Sequence, residues 1–177
     1  MMLKIKEEIE CLATSVDFDE YVPITVEFES NSLLPPIYWR VGDGKLSLME
    51  IGLTNHSGAI HSVTLVNIKA DSVRRLSEEY KICVSEKEGA PTFDLSAWQS
   101  SKPANGFANN FLDDFHIDLE LTIGKNFITI SIADDMLPTR CIKNNNVIFG
   151  INEDGALTSI DIVNIHPKDI KILSSTV

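Results

Sequence analysis

The chain contains an internal repeat, and this repeat restricts the possible folds more than any other feature of the sequence. The segments GAIHSVTLVNI (58–68) and GALTSIDIVNI (155–165) share their first two and their last three residues. Upstream of them, ITVEFESNSLLP (24–35) matches ITISIADDMLP (128–138), and the two pairs of segments occur in the same order. Because order, turn residues and identities agree together, the sequence predicts a duplicated unit.

The two predicted copies cover residues 9–77 and 117–174, and a predicted irregular segment at residues 82–111 joins them. A chain of 177 residues is long enough for one well-buried domain and short for two. We therefore predict a single domain over residues 1–177, built of two repeats. The aromatic residues of the joining segment either anchor a partner or hold the segment against the core, and they are Phe93, Trp98, Phe107 and Phe111.

Within each copy, apolar and polar residues alternate with the period of a half-buried strand. Short turns rich in Asn, Asp and Gly separate these strands, and we expect Gly58 and Gly155 to supply the positive φ of two hairpin turns. The predicted fold class is mainly β (α+β), with antiparallel sheets formed by the duplicated strand–loop–hairpin unit. One short helix is predicted near residues 70–81, where apolar residues recur at helical spacing.

The net charge of −11 is concentrated in two parts of the chain. Residues 1–30 and 108–136 carry the whole acidic excess, whereas acids and bases balance in the rest. The negative electrostatic potential of these two segments repels phosphate backbones and attracts cationic proteins. We therefore expect no nucleic-acid partner. The acids either attract a cationic protein or keep the chain soluble.

No motif for catalysis, cofactor binding or metal binding stands out in the sequence. It has no nucleophile elbow, no phosphate-binding loop and no His-Glu-x-x-His spacing among its four histidines. The chain is therefore interpreted as a protein that is not an enzyme, with no catalytic residues, no cofactor and no metal.

Cysteine usage and hydropathy predict a cytoplasmic location. The three cysteines, Cys11, Cys83 and Cys141, are an odd number without metal-ligand spacing, and we expect free thiols in a reducing compartment. No apolar run has the roughly 18 to 20 residues needed to span a bilayer. The N-terminal residues turn acidic where a secretory signal needs an apolar segment. We therefore expect neither export nor a membrane partner.

Two acidic stretches and one aromatic strand supply the candidate contact residues. The stretches are VDFDEY (16–21) and NNFLDDFHIDLE (109–120), and the strand contains YWR (38–40). Tyr, Trp and Arg are the residue types that dominate interface hot spots. Side chains alternate between the two faces of a strand, so Trp39 points to the face opposite Tyr38 and Arg40, and a core position is the better assignment for it. The predicted partner-binding residues are Asp17, Asp19, Glu20, Asp113, Asp114, Asp118, Glu120, Tyr38 and Arg40.

In size, acidity and lack of catalytic motifs, the chain resembles the immunity proteins of bacterial contact-dependent inhibition and related polymorphic toxin systems. The acidic stretches at residues 16–21 and 109–120 carry this resemblance. The resemblance implies a cytoplasmic protein that neutralises a cationic toxin, often a nuclease, by covering its basic active site. The carboxylates would then meet the Lys and Arg side chains of the toxin.

Two other interpretations stay open. A duplicated β unit imitates the twofold symmetry of a homodimer, which favours a structural or assembly module. A cleft between the two copies would instead hold a ligand or a substrate. For the toxin-binding interpretation we expect both acidic stretches on one face of the molecule.

Overall fold

The computed structural model describes residues 2–80, 86–100, 110–132 and 137–177. Within them the chain is mainly β, as the alternating pattern predicts, and its sheets are antiparallel or mixed. The described strands are β1 (Ile5–Ile9), β2 (Thr14–Asp17), β3 (Ile24–Phe28), β4 (Ile37–Gly42), β5 (Leu48–Leu53), β6 (Ile60–Asn67), β7 (Val73–Arg75), β8 (Glu86–Glu88), β9 (Ala90–Phe93), β10 (Phe111–Asp114), β11 (Leu119–Ile123), β12 (Phe127–Ile132), β13 (Arg140–Asn144), β14 (Val147–Ile151) and β15 (Leu157–Val163). The described α-helices are α1 (Ser96–Ser100) and α2 (Pro167–Thr176).

Two large sheets make up most of the fold. The first contains six described strands in the order β10-β4-β5-β6-β3-β2, and the second contains seven in the order β7-β11-β12-β15-β14-β13-β8. When the second order is read in reverse, β2 to β6 correspond one by one to β11 to β15. In addition, β10 and β8 run parallel to the equivalent strands β4 and β13. The two sheets thus repeat one strand order, whereas descent from a duplication stays a prediction.

The two sheets pack face to face as a sandwich over one apolar core. Inward-facing residues of both sheets belong to a single buried cluster. Phe28 of β3 contacts Phe149 of β14 across the interface, with ring centroids 5.9 Å apart. Trp39, predicted as a core residue, is fully buried. Each sheet therefore uses its inner face to cover the other and has only its outer face and its edges left for other contacts.

Glycine turns connect the strands as predicted. Gly58 and Gly155 precede β6 and β15 and have φ angles of 71° and 77°. The hairpin of β11 and β12 turns at residues 124–126, where Gly124 N–H donates to the carbonyl of Phe127. These turns fix the antiparallel register of the strands that they join.

The prediction of a helix near residues 70–81 is wrong. Ala70–Ser72 form one 3₁₀ turn, and β7 follows as a strand parallel to β11, while Lys81 lies outside the described residues. The side chain of Val73 packs against the core from this strand. A β-branched residue suits a strand, and an available sheet edge outweighs a weak helical pattern.

The helix of ten residues lies instead at the end of the second copy. Pro167 occupies its first turn, where the missing N–H costs nothing, and His166 Nδ1 accepts a hydrogen bond from Lys168 N–H at 3.2 Å. At the other end, Arg75 of β7 donates hydrogen bonds to two carbonyl oxygens of the last residues, at 3.2 and 3.0 Å. A cation at this end also complements the helix dipole. The proline and the arginine together explain why only the second copy forms a helix here.

The segment predicted as irregular, residues 82–111, contains regular structure. The strands β8 and β10 each extend an edge of a large sheet, and β9 pairs with β1 as a separate two-stranded sheet. Phe93 is buried, so this aromatic residue holds the segment to the core, whereas Phe107 lies outside the described residues. Single strands added to an existing edge need no alternating pattern of their own, which is why the sequence did not indicate them.

Cys141 takes part in a disulfide bond, so the prediction of free thiols is wrong at this position. Cys11 is free and exposed, as predicted, and Cys83 lies outside the described residues. The spacing of cysteines in a sequence cannot reveal a pairing, because the fold decides which sulfur atoms meet.

A buried amide ties the first sheet to the second. Asn144 at the end of β13 is fully buried, and its Oδ1 accepts a hydrogen bond from Leu12 N–H at 2.7 Å. Its Nδ2 donates to the Leu12 carbonyl at 2.9 Å and to Thr14 Oγ1 at 2.6 Å. These bonds fix the backbone at the start of β2, an edge strand of the first sheet.

We expect the Asn144→Ala variant to lose about 2 kcal/mol of unfolding free energy, because it removes a fully buried side chain and leaves the part-buried N–H of Leu12 without its partner. Asn145→Gly is the matched control, since exposed Asn145 donates to the same Leu12 carbonyl and glycine tolerates its φ of 57°. Urea unfolding of both variants measures the effect. Equal losses in the two variants would contradict the structural role of Asn144.

A buried carboxyl lies on the outer face of the second sheet. Asp161 of β15 accepts a hydrogen bond from the Tyr80 hydroxyl at 2.7 Å, and only 7% of the residue is exposed. Burial raises the pKa of the Asp161 carboxyl, while hydrogen bonds from Thr129 and Tyr80 oppose the rise. The folded protein therefore holds this proton to a higher pH than the unfolded chain does.

The Asp161 contribution to stability should be fully present at acidic pH, below the ordinary pKa of aspartate, and should be lost as pH rises through the raised pKa. In urea unfolding from pH 4 to pH 8, we expect the wild type to lose stability relative to Asp161→Asn. The comparison cancels all groups that titrate in both proteins. Two parallel stability curves would show that Asp161 is ionised in the folded state without cost.

Candidate functional site

The two outer faces of the sandwich differ in how far they are covered. On the second sheet, Ile148 and Asp161 pair across β14 and β15 and are buried, and Tyr80 reaches over this face to Asp161. The equivalent pair on the first sheet is Glu50 and Thr64, and both stay partly exposed. The outer face of the first sheet is therefore the open one among the described residues, and it carries the candidate site.

A row of paired residues crosses this open face from edge to edge. From β10 to β2 the row reads Asp113, Arg40, Glu50, Thr64, Thr25 and Asp17. Directly paired residues project from the same side of a sheet. Since the two ends are five strand spacings apart, the row is about 24 Å long. One carboxylate from each predicted acidic stretch thus lies on the same face, at opposite edges.

A second row, two residues further along the strands, contains a hollow. From β10 to β2 it reads Phe111, Tyr38, Gly52, Ser62, Glu27 and Ser15. A Cβ on Gly52 would overlap the Ser62 hydroxyl, so a larger residue here would require that hydroxyl to move. The hollow has a volume of about 360 Å³ and is lined by polar side chains that include Glu27, Glu50 and His61. The buried Nδ1 of His61 has no hydrogen-bond partner among the described residues.

Arg40 is held by one carboxylate and two aromatic rings. Its Nε and one terminal nitrogen donate to the two oxygens of Asp113, at 2.7 and 2.9 Å. Its guanidinium carbon lies 4.5 Å from the ring centroid of Phe111 and 5.7 Å from that of Phe115. The hydrogen bond to Asp113 raises the pKa of Arg40, with further support from the charges of Asp113 and Glu50. The pair thereby fastens β10 to the edge of the sheet.

The carboxylates of this surface, Asp17, Glu27, Glu50 and Asp113, are here called the acidic face. Asp113 is neutralised by Arg40, whereas the other three form no ion pair within the part of the chain that the structure describes. Asp17 and Glu27 are exposed, and Glu50 is partly exposed. Tyr38 has a raised pKa because of its burial and the nearby charge of Glu50. The acidic face therefore carries excess negative charge that can bind a cation.

The structure brings only some of the predicted contact residues together. Asp17, Tyr38, Arg40 and Asp113 lie on the open face, as the rows above describe. Asp19 and Glu20 are exposed in the loop that follows β2, at the same edge as Asp17. This places the stretch 16–21 entirely at one edge of the acidic face.

The remaining predicted contact residues lie elsewhere. Asp114 is turned toward the core side of β10, where its carboxylate accepts a hydrogen bond from the indole N–H of Trp39 at 2.6 Å. Asp118 is exposed in the connection from β10 to β11. Glu120 lies on the outer side of the second sheet and forms an ion pair with Arg74 at 2.7 Å. The expected single acidic surface thus holds for Asp17 and Asp113 but not for Glu120.

Glu27 and Glu50 face the centre of the open sheet, and they are not among the contact residues predicted from the sequence. Period-two alternation is the signal that places both on the outer side of their strands. It does not reveal that β3 and β5 flank β6 in one sheet, because strand order depends on long-range pairing. The sequence selection also favoured Asp114, whose partner Trp39 belongs to a strand that is distant in sequence.

The side chains of the acidic face are of the kind that can bind cations. The acidic face offers carboxylates and hydroxyls, and the carboxylates can accept charge-assisted hydrogen bonds from cationic side chains. Among the described residues, no group of three or more His, Cys, Asp or Glu side chains is arranged to hold a metal ion. No helix in the described ranges is both long and apolar enough to cross a membrane.

A comparison with protein-family models finds no matching family, and a comparison with curated protein sequences finds no match either.

Proposed function

We propose that this chain is an acidic binding protein that neutralises a cationic protein toxin, and that the toxin is a nuclease. The observation that carries the proposal is the open acidic face, where Asp17, Glu27 and Glu50 form no ion pair with any described residue. Nuclease active sites are basic because they bind phosphate backbones. A surface with unpaired carboxylates can cover such a site and compete with its nucleic-acid substrate.

The position of the charges favours a binding function over a solubility device. Solubility requires only that charges of either sign be spread over the surface. Here the corresponding pair on the second sheet, Ile148 and Asp161, is buried, whereas Glu50 lies on the face that stays open. Like charges placed across one sheet repel each other, and a cationic partner relieves this repulsion. The same field accelerates the capture of a cationic partner.

The proposed place of action is the cytoplasm, where a nuclease toxin meets nucleic acid. The disulfide bond of Cys141 argues against this location, because disulfides are rare in reducing compartments. Free Cys11 is compatible with either compartment. The redox state of the isolated protein therefore bears directly on where it acts.

Because Cys141 is disulfide-bonded, the chain unfolded without reductant should expose fewer reactive thiols than the same chain after reduction. Titration with a thiol reagent in denaturant, on protein purified with thiols blocked at lysis, gives both numbers. A protein that shows all three thiols before reduction would contradict the disulfide and would match the cytoplasmic expectation.

The proposed function is tested with the protein encoded beside this one in its native genome, because toxin and immunity protein are normally encoded together. We expect the purified neighbour to be a nuclease that this protein inhibits in stoichiometric amounts, with association rates that fall steeply as salt rises. The double variant Glu27→Lys and Glu50→Lys should weaken inhibition about tenfold, because exposed ion pairs contribute modestly and the reversal also adds repulsion.

The matched control carries Glu153→Lys and Asp154→Lys, an equal charge change in the exposed turn between β14 and β15. It should inhibit as the wild type does. Equal losses in both variants would mean that only net charge matters, and the acidic face would then not be the binding site. A neighbour that is neither bound nor inhibited, together with salt-insensitive self-association, would replace the proposal with the assembly-module interpretation.

A further inference from the structure

The second sheet shows how a cationic strand adds to an edge of this fold. β7 runs parallel to the edge strand β11, with Val73 opposite Leu121 and Arg74 opposite Thr122. The guanidinium of Arg74 reaches Glu120 of β11 at 2.7 Å. The next residue after β7 continues the ladder, because Leu76 N–H donates to the Ile123 carbonyl at 2.9 Å. An extended Val-Arg-Arg segment is therefore held by backbone pairing and by charge.

The first sheet has an equivalent edge strand, β2. Val16 pairs with Val26 of β3, as Leu121 pairs with Ile130 of β12, and Asp17 pairs with Thr25 as Thr122 pairs with Thr129. The matched strands β3 and β12 thus align β2 with β11 residue by residue. In this alignment Asp17 occupies the position of Thr122, the residue opposite Arg74.

No described strand pairs with the other side of β2. Ser15 and Asp17 are exposed, and 88% of the Tyr21 surface at the same edge is accessible. The bonds from Asn144 reach Leu12 and Thr14, at the start of β2. Among the described residues, no strand of the first copy therefore covers the edge that β7 occupies in the second copy.

We propose that an extended cationic segment of the partner adds to β2 in parallel orientation, as β7 adds to β11, and sets an Arg or Lys beside Asp17. This inference rests on the proposed function and specifies how the partner binds. The cation would continue the row that leads from Asp17 across the acidic face. Asp19 and Glu20 would lie beside the end of the incoming strand.

Charge favours a cationic partner strand over a second copy of this chain. Two copies that paired through β2 would bring Asp17, Asp19 and Glu20 of each into proximity with the same residues of the other. Exposed charges on edge strands commonly prevent such self-pairing. A cationic segment removes the repulsion and also satisfies the unpaired backbone groups.

The probe for this edge is the chain's own β7 sequence, the capped hexapeptide SVRRLS (72–77). Titrated into the full-length ¹⁵N-labelled protein, it should shift the amide resonances of residues 14–18 and slow their hydrogen exchange. The control peptide SPRRPS has the same charge but lacks two backbone donors, so it should bind at least several-fold more weakly. Equal binding of the two peptides would show plain charge attraction and overturn strand addition.

A charge variant tests the predicted register. Asp17→Lys should weaken binding of SVRRLS about fivefold, as expected when an exposed ion pair becomes a repulsion. Asp154→Lys, which makes the same charge change on an exposed turn, should leave binding unchanged. An unchanged affinity in Asp17→Lys, or shifts confined to β11 through displacement of β7, would overturn the inference.

The peptide-binding experiments and the toxin-inhibition experiment can fail independently of each other. If the neighbouring toxin is inhibited but Asp17→Lys and the peptide have no effect, only strand addition fails. If SVRRLS binds β2 but no toxin is inhibited, the edge is real and the proposed function fails. Concentration-dependent dimers in sedimentation, with exchange protection at β2 in the absence of peptide, would assign the edge to a second copy and overturn the inference.

Discussion

The packing of two apolar sheet faces against each other is the constraint on which the rest of this structure depends. Trp39 and Phe149 are fully buried in the shared core, one from each sheet. Neither sheet could be stable in water with such a face exposed. Once the inner faces are used in this way, recognition depends on the outer faces and the edges. In the second sheet, added strands occupy both edges and the outer face is partly covered. Among the described residues, the open surfaces are therefore the outer face of the first sheet and the free edge of β2.

The local structure could be predicted from the sequence, and the assembly of the strands could not. Alternation indicated the strands of both copies, and Gly58 and Gly155 marked two of their turns. The strands β7, β8 and β10 carry too few residues for a periodic signal and form because an edge is available. The helix near residues 70–81 was predicted from a stripe of apolar residues, yet the decisive local signal was Pro167 at the start of the real helix. The sequence repeat also hid this difference, because it aligned a strand of one copy with a helix of the other.

The candidate site was predicted in part, for a similar reason. The charge map singled out Asp17 and Asp113, and their strands are joined into one face by pairings that span up to 73 residues of sequence. Glu50 was missed because it lies in a region whose charges balance. Its importance comes from its neighbours Tyr38 and Arg40 in the sheet, not from its neighbours along the chain. Sequence charge density therefore identifies acidic segments, whereas register decides which of their side chains act together.

The register also separates the two acidic segments by role. In the second segment, Asp113 binds Arg40, Asp114 accepts from Trp39, and Glu120 binds Arg74. Carboxylates that already have internal partners offer little to an external cation, because the existing bonds would have to break first. Among the described residues, Asp17 and Glu27 of the first segment form no such ion pairs, and both are exposed on the outer face of the first sheet. The second segment thus fastens β10 and β7 to the sheets, whereas the carboxylates of the proposed binding surface that lack ion pairs among the described residues are Asp17, Glu27 and Glu50.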